Sequence, residues 1–142
     1  GFDYDGKVQA HEMTHLVFNR FFEGRIPLWL NEGVAEYFGQ RKTSTTSEFR
    51  RAMSQAADYP LDRLFAATQY PAMPGEVSSF YAEAAIVVDF LSYTADRKPL
   101  LPKFVDALSQ GQSLPDALRL YGYQNQADFV AAYDRFRKTR YK

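Results

Sequence analysis

The two histidines of this chain lie four residues apart, in the string His11-Glu12-Met13-Thr14-His15. In a helix this spacing puts both imidazoles on one face, one turn apart, where they can share a single metal ion. Glu12 follows the first histidine, so its carboxylate can reach a metal-bound water without being a ligand itself. The pattern predicts water activation at a metal; the alternative is a histidine pair held by local hydrogen bonds.

Zinc needs a third protein ligand, and a catalytic site leaves the fourth position to water. Glu32 follows His15 with sixteen residues between them. That is enough for one helix to end and for a second to return across the histidine face. Gly33, next to Glu32, would let the backbones of these two helices approach closely, which offsets its cost of about 1 kcal/mol in a helix. Glu32 is therefore the candidate third ligand.

The elements that carry these residues are predicted to be helices. Apolar residues at helical spacing between Gly6 and Gly24 predict a first helix over 7–22. Pro27 suits a first turn, and apolar residues recur one turn apart after it, which predicts a second helix over 28–40. These apolar positions of the second helix are Leu30, Val34 and Phe38.

Capping residues and prolines predict the remaining helices. The first of them covers about 48–57 after a cap at Thr46 or Ser47, and the second covers 60–67. A third helix begins after a cap at Ser78 or Ser79 and ends at about 95. The last three helices cover 99–110, 113–121 and about 126–138. Residues 68–77 are predicted to form a loop, and the helix after it carries few charges, which predicts a central position. Because no segment alternates like a strand, the predicted fold class is all-α.

The composition describes one globular domain with a packed core. The chain has 142 residues, 46% of them hydrophobic, which fits a single domain. Seventeen Lys and Arg balance seventeen Asp and Glu, so the basic excess that nucleic-acid binding requires is missing. The absence of cysteine leaves any metal to His, Asp or Glu. The apolar run 84–88 is far shorter than the roughly 20 residues of a transmembrane helix, so no membrane span is predicted.

The HEMTH string at 11–15 and the WLNEGVAE string at 29–36 together resemble the gluzincin branch of zinc metallopeptidases. In that branch a Glu from the next helix completes an H-E-x-x-H site. The second string is similar to the W-L-N-E-G-x-A string of aminopeptidase-N-like and peptidase-MA-like domains, and its spacing favours the smaller bacterial peptidase-MA-like families. The resemblance covers Val8–Phe38 and, less closely, Phe80–Leu91. It implies one Zn²⁺ per chain, with His11, His15 and Glu32 as ligands and Glu12 as general base.

Two further residues gain a role from the resemblance. Glu36, one turn after Glu32, is expected to accept the free ring N–H of a ligating histidine; the alternative is a solvated partner of Arg41 or Lys42. Tyr81 resembles the tyrosine that donates a hydrogen bond to the developing oxyanion, with core packing as its alternative. Glu83 stands where the aminopeptidases commonly have lysine, which leaves a substrate contact from that turn open.

The implied reaction is zinc-dependent hydrolysis of a peptide or protein substrate. Zinc would lower the pKa of its bound water toward about 7 and polarise the scissile carbonyl, while Glu12 transfers the water proton to the leaving nitrogen. The resemblance does not resolve endopeptidase from exopeptidase action. Two alternatives are a zinc-binding but catalytically degenerate scaffold that acts in protein interactions, and a helical interaction module without metal.

The resemblance also implies a β-sheet lobe before the histidine helix. Only residues 1–10 precede His11, too few for a stable sheet. We therefore expect residues 1–142 to be the helical zincin-like lobe of a longer protein, which contacts the missing lobe or a neighbouring chain. The compartment is unknown from the residues, and the resemblance favours a bacterial extracytoplasmic location: secreted, periplasmic or lipoprotein-anchored.

Overall fold

A computed structural model of the chain describes residues 25–43, 45–56 and 58–141, without the side chains of 41–43. Helices and loops make up this part of the chain, and no strand occurs in it, which confirms the predicted all-α class there. The predicted histidine helix, 7–22, lies outside the described residues. The helices are α1 (Leu28–Thr43), α2 (Thr46–Ser54), α3 (Leu61–Ala66), α4 (Pro74–Ser92), α5 (Leu100–Ser109), α6 (Leu114–Leu118) and α7 (Gln126–Arg140).

Helix α1 carries the candidate glutamate ligand. The Pro27 carbonyl starts the helix by accepting hydrogen bonds from Leu30 N and Asn31 N, both at 3.1 Å. Trp29 is buried and packs edge-on against Phe65 of α3, with ring centroids 5.0 Å apart. Leu30 and Val34 of the predicted apolar stripe are fully buried, which confirms the prediction at these two positions.

The end of α1 differs from the prediction. The helix runs to Thr43, three residues beyond the predicted end, and Phe38 is 41% exposed although the pattern placed it on the buried stripe. Phe38 lies edge-on to Tyr37, with ring centroids 5.2 Å apart, and Tyr37 in turn contacts buried Phe49 of α2. The neighbouring tyrosine therefore makes the core contact that periodicity assigned to Phe38.

Helices α2 and α4 begin earlier than predicted. Thr45, and not Thr46 or Ser47, caps α2: its hydroxyl accepts from Glu48 N at 3.1 Å, while the Glu48 carboxylate accepts from Thr45 N. Helix α4 begins at Pro74 and not after Ser78 or Ser79, because proline suits the first helical turn and Met73 supplies the extended residue before it. Helix α4 also ends at Ser92, before the predicted residue 95.

Helix α4 is central, as its low charge predicted. Phe80 and every residue from Ala82 to Ser92 are buried. Gly33 of α1 packs directly on it: a Cβ at this glycine would lie 2.6 Å from the Ala84 carbonyl oxygen. The described neighbour of Gly33 is therefore α4. The predicted close approach of the histidine helix to Gly33 involves residues outside the described part and stays a prediction.

The C-terminal helices close the core around α4. Ser113 caps α6 and Asn125 caps α7, both as predicted. A single 3-10 turn, Arg119–Tyr121, separates these helices and ends at Gly122, whose φ of 88° favours glycine. Among the helices that the structure describes, none combines the length and apolar character that a bilayer crossing requires.

Candidate functional site

Glu32 is a buried carboxylate of α1. Its side chain is only 2% exposed, although its neighbour Asn31 is half-buried. The Tyr70 hydroxyl donates a short hydrogen bond to Glu32 Oε1. Tyr70 lies in the loop between α3 and α4, so a residue 38 positions later in the chain contacts the candidate ligand.

Tyr70 joins Glu32 to another predicted site residue, Tyr81. The rings of Tyr70 and Tyr81 meet edge to face, with centroids 6.1 Å apart. Phe80 supports both rings, at 6.4 Å from Tyr70 and 6.2 Å from Tyr81. The structure thus gathers Glu32, Tyr70 and Tyr81 into one group, which we call the Glu32 site.

The electrostatics of the Glu32 site keep Tyr70 protonated. Partial burial, followed by the hydrogen bond to the Glu32 carboxylate and the charge of that carboxylate, raises the pKa of Tyr70 well above its usual value. A protonated phenol donates a hydrogen bond and brings no negative charge next to the carboxylate. Tyr70 therefore acts as a neutral donor that can orient Glu32.

Two other buried acids have different partners. Glu83 accepts from Arg137 Nε at 2.9 Å and from the Tyr133 hydroxyl, and Asp89 accepts from Arg140 Nε at 2.9 Å. Both arginines lie on α7, so these two ion pairs connect α7 to α4. The hydrogen bond described for Glu32 comes instead from the neutral hydroxyl of Tyr70. Glu83 therefore has a structural role in this fold, and a substrate contact from that turn stays an open question.

Glu36 lies one turn beyond Glu32 and is half-buried. Its Oε1 accepts a hydrogen bond of 3.0 Å from Gln40 Nε2, within the same helix. The groups that would decide between its two predicted roles are the histidine rings and the Arg41 and Lys42 side chains, and all of these lie outside the described residues. Both roles of Glu36 remain predictions.

The predicted ligands His11 and His15 and the predicted base Glu12 lie outside the described residues. Within the described part, no three histidine or acidic side chains lie close enough together to hold a metal ion. The predicted ligand set has only one member there, Glu32. The zinc site therefore remains a prediction.

Sequence reasoning missed Tyr70. It lies in a segment predicted to be a loop, where no periodicity marks which side chain faces the core, and it is one of ten tyrosines. Its role depends on where α3 ends and α4 begins relative to Glu32. That is a tertiary property without a local signal.

Comparisons of the chain with protein-family models, with curated proteins and with solved structures gave no match in any of the three.

Proposed function

We propose that this chain is the helical lobe of a zinc-dependent peptidase, with zinc held by His11, His15 and Glu32 and with Glu12 as general base. The observation that carries the proposal is the Glu32 site. Tyr70 donates a hydrogen bond to the carboxylate that the sequence pattern selects as third ligand, and its ring packs against Tyr81, which the resemblance selects as the oxyanion donor. Glu32 and Tyr81 are 49 positions apart in the sequence.

The donor set suits zinc. Carboxylate oxygen and imidazole nitrogen are common zinc ligands, and three protein ligands leave a position for substrate or water. A carboxylate has about four lone-pair positions, so the hydrogen bond from Tyr70 to Oε1 is compatible with a metal bond to the same group. An ionised carboxylate that is 2% exposed also needs compensation by a cation or by hydrogen bonds.

Bound zinc would supply Lewis acidity toward the scissile carbonyl and make water a better nucleophile. Side chains of this protein supply proton transfer, orientation of the ligand carboxylate and a hydrogen bond to the oxyanion. Glu12 takes a proton from the attacking water and delivers it to the leaving nitrogen. Tyr70 orients the Glu32 carboxylate through its hydroxyl. The Tyr81 hydroxyl, half-buried beside Tyr70, donates to the oxygen that gains negative charge.

Zinc content tests the ligand set. We expect about one zinc per chain in untagged protein purified without chelator, and loss of stoichiometric zinc in His15→Ala and in Glu32→Gln, which removes the charge but keeps the size. Glu76→Gln is the matched control, because Glu76 is a partly exposed acid on α4 that pairs with Arg63 at the surface. Retention of stoichiometric zinc in both ligand variants would show that the ligand set is wrong.

Peptide cleavage separates the peptidase from a zinc-binding scaffold. Glu12→Gln should keep its zinc and lose activity by about 10² to 10⁴, the usual contribution of a general base. A mixed peptide library with mass-spectrometric detection of products measures cleavage by the full-length protein and by its Glu12→Gln variant without assuming a substrate sequence. Zinc-loaded full-length protein that cleaves nothing in the library would favour the scaffold.

A further inference from the structure

A concave surface lies at the other end of α4, away from the Glu32 site. Phe90 follows Tyr81 by nine residues on the same helix, which separates the two places by about 14 Å along the axis. This groove has a volume of about 520 Å³ and is lined by Arg50, Arg97, Arg135 and Arg140 together with aromatic rings. It continues into a second depression of about 480 Å³, which shares Arg50 and Arg140 and adds Arg51. We call the two together the arginine groove.

The charge of the arginine groove contrasts with that of the whole chain. Its lining holds five arginines and, among the residues that the structure describes, no aspartate or glutamate. Asp89, which is buried, pairs with Arg140. The complete sequence has zero formal net charge. The groove therefore concentrates positive charge locally, which attracts an anionic ligand.

Two of the arginines are prepared for such a ligand. Arg97 is held in place, because its two terminal nitrogens donate to the Phe90 carbonyl and the Tyr123 hydroxyl, both at 2.7 Å. Its guanidinium also lies 4.5 Å from the centre of the Phe90 ring. Arg50 Nε is buried and meets no hydrogen-bond acceptor among the described residues. A ligand carboxylate would pair with the fixed guanidinium of Arg97 and accept a hydrogen bond from Arg50 Nε.

The shape of the groove indicates what kind of anion it fits. The α7 side of the lining runs from Ala132 to Arg140, eight residues or about 12 Å of helix. About four residues of extended peptide cover that length. The exposed Tyr93 ring and the half-buried Phe136 ring offer an apolar contact between the charges. We propose that the arginine groove binds a short acidic segment of a protein, with carboxylates on the arginines and an apolar side chain against the rings.

Binding of a labelled Glu-Glu-Phe-Glu-Glu peptide, followed by fluorescence anisotropy, tests the proposal. We expect saturable binding that weakens as ionic strength rises, because exposed charges are screened by salt. A Gln-Gln-Phe-Gln-Gln peptide and its lysine counterpart should bind much more weakly. Equal binding of the glutamine peptide, or no saturable binding of the acidic one, would overturn the proposal.

Arginine variants locate the site. Arg135→Gln and Arg50→Gln should each raise the Kd by about 3- to 10-fold, the loss expected for one hydrogen bond of ordinary strength. Arg119→Gln is the matched control, since Arg119 is an exposed arginine outside the groove that pairs with Asp116. Arg135 is exposed, so its variant should fold normally, which thermal unfolding checks.

Two results would contradict the assignment. An unchanged Kd in both groove variants would place the peptide elsewhere. An oligonucleotide of equal charge that displaces the peptide at lower concentration would identify the groove as a nucleic-acid site instead.

Discussion

Substitution of Gly33 by alanine tests the contact that positions the candidate ligand. A methyl group at this position would lie 2.6 Å from the Ala84 carbonyl oxygen and 2.9 Å from Val88 Cγ2. The carbonyl belongs to the middle of α4 and cannot rotate away, so α1 and α4 must separate. Overpacking of this kind costs about 1–3 kcal/mol. This cost opposes the gain of about 1 kcal/mol in stability that replacing glycine by alanine normally brings to a helix.

We expect Gly33→Ala to reduce the free energy of unfolding by about 2 kcal/mol, because the close contact is with backbone. For a chain of this length, that change lowers the Tm by about 4–8 °C. Gly75→Ala is the matched control: Gly75 lies in the first turn of α4, and a Cβ there meets nothing within 4 Å. The control should be neutral or stabilising by up to about 1 kcal/mol.

Thermal unfolding by circular dichroism measures both glycine variants. Equal Tm values for Gly33→Ala and Gly75→Ala would refute the close packing of α1 on α4.

Three further predictions follow from the helix cap, the buried tyrosines and the Glu32 site. Thr45→Ala should cost about 1 kcal/mol of stability, whereas Ser47→Ala should change it by less than about 0.5 kcal/mol; a larger effect at Ser47 in chemical denaturation would reassign the cap. Burial, and then the neighbouring carboxylates, raise the pKa of Tyr133 and Tyr141 above the usual value of about 10. Their contribution to stability is therefore fully present below pH of about 10 and is lost as the pH rises further, because the unfolded tyrosines ionise first. Tm measured against pH, with tyrosinate absorbance recorded in parallel, checks this, and a Tm that stays level above pH of about 10 would contradict it. Tyr81→Phe should lower kcat by about 10² to 10³; a lower Tm with unchanged turnover would instead assign this residue to packing.

Local patterns in the sequence determined much of the helical framework. Apolar spacing and Pro27 predicted α1, and caps at Ser113 and Asn125 marked the starts of α6 and α7. The low charge of α4 predicted its central position. These predictions succeeded because a helix start and an apolar stripe depend on residues within about four positions of one another. Spacing relative to the histidines likewise selected Glu32 as a candidate ligand.

Only the tertiary structure decided which distant residues meet. It packs Gly33 on α4, brings Tyr70 from a loop to Glu32, and joins Glu83 to Arg137 across 54 positions. The arginine groove has the same origin, because its lining comes from four separate parts of the chain and no one segment carries its charge pattern. Such contacts depend on the angles and distances at which helices pack, and short-range periodicity contains no information about either.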